Sequence, residues 1–84
     1  MQLVLYTTLG CHLCEQVEAM LEHLASAFPH QLEKCEIADD NALLETYATE
    51  IPVLFRADID MEIAWPFDIE HLAQFLALPS GAVL

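Results

Sequence analysis

Basic side chains are nearly absent from this sequence. Fourteen acidic residues face only Lys34 and Arg56, a formal net charge of −12 in 84 residues. Nucleic acids are gripped by Lys and Arg that neutralise phosphates, so this composition excludes nucleic-acid binding. An anionic membrane surface is disfavoured for the same reason, and the field steers basic or neutral partners inward while repelling anionic ones. Long apolar runs are missing as well. None approaches the roughly 18 residues of a membrane-spanning helix. The opening "MQLVLYTT" has no basic leader, and its apolar run is short for a secretory signal. The cytoplasm is the expected compartment. There is no repeat, low-complexity tract or linker, so one domain over residues 1–84 is expected. Cysteine is sparse and odd in number, at three, which argues against a disulfide-built scaffold and for free thiols in a reducing compartment.

What is present is apolar. Hydrophobic residues make up 56% of the chain, enough for a core without staples and enough to leave an apolar patch exposed. "QLVLY" at 2–6 reads as a buried strand, and Gly10 ends the turn after it. From Leu13, the apolar positions Val17, Met20, Leu21, Leu24 and Phe28 lie on one helical face, with Glu15, Glu18 and Glu22 opposite, and Pro29 stops the helix. "QLEKCEIA" at 31–38 predicts a second strand in which Cys35 shares a buried face with Ile37. Asp40 is an N-cap for "NALLETYA". "IPVLFR" at 51–56 predicts a third strand with Pro52 at its entry. "ADID" is a turn and "MEIAW" a fourth strand. Asp68 caps a last helix with Ile69, Leu72, Ala73 and Leu76 on its apolar face, and Pro79-Ser80-Gly81 ends it. The order β-α-β-α-β-β-α predicts an α/β fold: a four-stranded mixed sheet flanked by three helices, parallel in its first strands and closed by an antiparallel hairpin.

Within "YTTLGCHLC", Cys11 and Cys14 stand at the start of the first helix. Unpaired backbone N–H groups there carry partial positive charge, which stabilises a thiolate and lowers the pKa of Cys11. Cys14, one turn further in, is placed to attack a mixed disulfide on Cys11. A protonated His12 would add positive charge beside Cys11, and Glu15 would act in the opposite sense. A zinc site needs four ligands, typically two Cys-x-x-Cys pairs. This chain has neither a second pair nor a His-x₃₋₅-His, and His12, His30 and Cys35 could serve only if the fold gathered them. No metal site is therefore assigned, and a cluster shared between two chains stays as an alternative.

A strand, a Cys-x-x-Cys at a helix start and an Ile-Pro opening the third strand resemble the thioredoxin superfamily. The pattern is most similar to its short glutaredoxin branch, in particular the small glutaredoxin-like proteins of unassigned function. "WPFD" at 65–68 is a mark of that group. The resemblance covers nearly the whole chain. It implies a thiol–disulfide oxidoreductase with Cys11 as nucleophile and Cys14 as resolving thiol. It implies a cis Pro52 facing the pair and an Ile51 whose backbone N–H and C=O receive an extended substrate, with Thr8 and His12 beside them. The implied partner is a protein or small-molecule disulfide, with no bound cofactor. Glutaredoxins usually carry a Lys near Thr8 that binds a glutathione carboxylate, a Gly-Gly where Ala64-Trp65-Pro66 stands, and Thr-Val-Pro where Glu50-Ile51-Pro52 stands. Weak glutathione binding is the expectation. The alternatives are a binding module that kept the fold, reading partners at the Ile51-Pro52 groove, and a metal or iron–sulfur cluster adaptor.

Overall fold

The β-prone opening forms β1, Gln2–Thr7, and its alternation decides which side becomes core. Leu3 and Leu5 are fully buried on one face, while Val4 and Tyr6 are half-buried on the other. This computed structural model describes residues 1–79, so Ser80 and Gly81 of the expected stop signal lie outside the described residues. The remaining elements are α1 (His12–Leu24), β2 (Gln31–Glu36), α2 (Asn41–Tyr47), β3 (Val53–Arg56), β4 (Met61–Ala64) and α3 (Ile69–Ala77).

The strands lie in the order β2-β1-β3-β4. β1 runs parallel to β2 from Gln2↔Gln31 to Thr7↔Glu36. β3 is antiparallel to β1, with Leu3↔Arg56 and Tyr6↔Val53, and to β4, with Arg56↔Met61. The four-stranded mixed sheet with three helices is thus the architecture. Helices α1 and α3 cover the Leu3/Leu5 face, where Val17, Leu21, Leu54, Leu72, Phe75 and Leu76 close the core.

Boundaries moved where local chemistry overrode periodicity. Helix α1 ends at Leu24, not Phe28: Ala25 caps it, and Phe28 N–H returns to the Leu24 carbonyl at 2.9 Å. Its buried face starts at Cys14 and runs through Val17 and Leu21, while Leu13 is left 39% exposed. β2 stops at Glu36 because that side chain caps a short 3₁₀ turn over Ile37–Asp39. Cys35 therefore shares no strand face with Ile37. It is a half-buried free cysteine on an edge strand, whereas Ile37 is buried from the turn. β3 begins at Val53 rather than Ile51, and β4 ends before Trp65. In α3 the buried face is Leu72, Phe75 and Leu76, with Ile69 37% exposed. The turn after β3 places Asp60 at φ 53, a left-handed conformation that Asp tolerates better than most residues.

Candidate functional site

Cys11 is the N-cap of α1. Its backbone is extended, and its Sγ accepts the Cys14 N–H at 3.1 Å. Ser, Thr, Asp or Asn usually takes that position. Here sulfur takes it, so a backbone N–H of the helix start points at the Cys11 sulfur. Cys11 is half-exposed and Cys14 only 2% exposed. Their Cα atoms are 5.3 Å apart and their sulfurs at disulfide-bonding distance. Gly10, at φ +83, makes the reversal from loop into helix, a conformation other residues rarely adopt.

A cleft of about 400 Å³ lies beside the pair, walled by Thr8, Cys11, Cys14, Glu15, Lys34 and Glu36 among others. Lys34 reaches from β2 to Glu18 on α1 at 3.4 Å, so the acidic face of α1 carries a tie to the sheet. Thr8 sits in the loop, its carbonyl accepting the Cys11 N–H at 3.2 Å. His12 faces solvent with its side chain 92% exposed, 3.3 Å from Glu15. Beside the thiol, Leu9 is 94% exposed. Among the described residues no group of three or more His, Cys, Asp or Glu is placed to hold a metal ion.

Ile51 and Pro52 lie outside this cleft, on the β3 side of β1. The register between the two strands ends with Val53 opposite Tyr6, and Pro52 directly precedes that pair in the chain. The Ile51-Pro52 bond is cis, as is Trp65-Pro66, and Pro52 is buried. The Ile51 N–H is already taken by the Tyr47 carbonyl at 3.1 Å, so it is not on offer to a substrate as the resemblance implied.

Three features escaped the sequence reading. Glu36, read only as part of a strand, accepts the Leu9 N–H at 2.8 Å and the Ala38 N–H at 3.1 Å. The Ala38 bond first, then the Thr8 side chain and the Leu9 N–H, hold its carboxyl below the usual range. Tyr6 stacks on Tyr47, ring centroids 4.5 Å apart, and the Tyr47 hydroxyl donates to Glu62 at 3.0 Å. Burial first, then that bond, pushes the Tyr47 phenol up to about 12, and burial also raises Tyr6. Arg56 is 1% exposed and donates to the Phe75 and Leu78 carbonyls and to Asp58. Alternation was the available signal for Arg56, since it shares a face with Leu54.

A Cys-x-x-Cys at the first turn of a helix, following the central strand of a mixed sheet, defines a protein of the thioredoxin fold. Residues 2–77 match the glutaredoxin-like domain family (DUF836), and the chain belongs to it. A structural-genomics target protein from X. campestris is 37% identical, with TM-score 0.75 over 92% of this chain and 99% of that one. Protein Ne2328 from Nitrosomonas europaea is 32% identical, with TM-score 0.78 over 90% of this chain and 91% of its own. A mutant thioredoxin from Halobacterium salinarum, at 23% identity and TM-score 0.65 over 89% of this chain and 70% of that one, shares the fold. No curated protein matches the chain at a significant level.

Proposed function

We propose that this protein is a thiol–disulfide oxidoreductase that reduces protein or small-molecule disulfides in the cytoplasm. The asymmetry of the two thiols carries the reading: Cys11 is half-exposed with its Sγ held by the Cys14 N–H at 3.1 Å, and Cys14 is 2% exposed behind it. In the reduced protein the Cys11 thiolate attacks one sulfur of the substrate disulfide. The S–S bond breaks, a mixed disulfide forms on Cys11, and the other substrate thiolate leaves with a proton from solvent. Cys14 then loses its proton and attacks the Cys11 Sγ, releasing the second substrate thiol. Two electrons have passed to the substrate, and the protein holds the 11–14 disulfide, which a dithiol donor reduces again. Thr8 stands where glutaredoxins carry a Lys, and the one base of the cleft, Lys34, is paired with Glu18 among Glu15 and Glu36, so glutathione is a poor substrate. Main-chain pairing at Ile51 falls to its carbonyl.

Reduction of a protein disulfide, driven by a small dithiol, tests this. Wild type accelerates the reaction, Cys11→Ser does not, and Cys14→Ser accumulates a mixed disulfide visible by mass. Alkylation at mildly acidic pH labels Cys11 before Cys14 and Cys35. A wild-type rate equal to that of the dithiol alone would sink the proposal.

A further inference from the structure

The loop between β1 and α1 that delivers Cys11 has little packing to hold it. Leu9 is 94% exposed, and a Cβ built on Gly10 would meet nothing within 4 Å. Hydrogen bonds must supply its order. We propose that Glu36, at the end of β2, is the positioning residue for the Cys11 nucleophile. One carboxylate oxygen accepts the Leu9 N–H at 2.8 Å, and the other accepts the Ala38 N–H at 3.1 Å. The two donors belong to segments far apart in sequence, the loop before the nucleophile and the turn after β2. The carboxylate therefore joins the loop to the sheet. Bonds to an ionised acceptor are roughly twice as strong as neutral ones, which suits a tether at an exposed position.

The tether continues to the sulfur. Leu9 is held at one end, the Thr8 carbonyl accepts the Cys11 N–H at 3.2 Å, and the Cys11 Sγ accepts the Cys14 N–H. The sheet register places Glu36 opposite Thr7, the last residue before the loop. A freed loop would let Cys11 leave the first turn of α1, and the thiolate would lose the donor that stabilises it. Glu15, Glu18, Lys34 and Glu36 line the cleft beside Cys11, and His12 follows it in the chain. Against that background the removal of one negative charge, by itself, favours the thiolate. Positioning and charge thus act in opposite directions, which makes them separable.

The inference rests on Cys11 being the nucleophile, yet its test needs no turnover. The pH profile of Cys11 alkylation by iodoacetamide is measured in the reduced wild type, Glu36→Gln, Glu36→Ala and Glu36→Asp. Gln loses the charge and keeps one acceptor oxygen. Ala loses both. Asp keeps the charge with a shorter reach. At neutral pH Glu36→Ala should be alkylated about tenfold more slowly than Glu36→Gln, with its midpoint at higher pH. Glu36→Asp should also shift to higher pH. Superimposed profiles for Gln and Ala, both moved to lower pH, would show a charge effect alone and overturn the assignment. Should Glu36→Ala fail to fold, a wild-type profile for Glu36→Asp overturns it equally. Absence of disulfide reduction by wild type would remove the redox reading and leave this comparison standing.

Discussion

Arg56 carries a burden out of proportion to one side chain. It is one of two bases in the chain, and it is buried to 1% exposure. Its guanidinium donates to the carbonyls of Phe75, at 2.9 Å, and Leu78, at 2.8 Å, at the C-terminal end of α3. A helix leaves its last carbonyls unpaired and partly negative, and Arg56 satisfies both demands from the neighbouring strand, with Asp58 closing the charge. Arg56→Met keeps the apolar stem and removes every donor. The carbonyls of Phe75 and Leu78 then lose their guanidinium donors inside the protein, and stability should fall by about 3 kcal/mol. Denaturant unfolding measures this, and a loss below about 1 kcal/mol would mean that water replaces the guanidinium.

The elements differ in what holds them. Helices α1 and α3 each bury three residues in the core, while α2 buries none. A helix of seven residues without a buried face is far below the length at which propensity alone suffices. It persists through its ends. Asp40 accepts the Ala42 and Leu43 N–H groups, at 2.8 and 3.3 Å, and Tyr47 stacks on Tyr6 of β1. Asp40→Ala should cost about 1 kcal/mol and should speed hydrogen exchange of the α2 amides while leaving those of α1 unchanged. Uniform acceleration across the sheet would instead mean that α2 unfolds only with the whole molecule.

At the scale of the whole molecule, charge is the dominant property. Both bases face carboxylates, Lys34 facing Glu18 and Arg56 facing Asp58, so a net charge of −12 surrounds the cleft with little positive charge to receive an anion. Under the proposed function, a substrate would be selected by that field before it reached Cys11. With two peptide disulfides differing only in Lys or Glu beside the cystine, the Lys peptide should be reduced at least about tenfold faster at low salt. The difference should shrink as salt brings the screening length toward ~8 Å. Equal rates at low salt would show that the charge lies away from the encounter path.

The order of elements and the place of the Cys-x-x-Cys pair were determined by the sequence by itself. Apolar spacing of two and of three to four, together with Asp40, Asp68 and Cys-x-x-Cys after a strand, are local signals. Short-range sterics and capping act on them before any tertiary contact forms. The second rank of the site was decided by tertiary structure alone. Glu36 meets Leu9 across 27 residues, Arg56 meets the Phe75 and Leu78 carbonyls across 19 and 22, and Tyr6 meets Tyr47 from another layer. Those pairings depend on strand order and register, which no local pattern encodes. The same cause shortened β2 and left Cys35 half-buried, because an edge strand has a neighbour on one side only, and its end was set by the carboxylate that turned to cap and tether.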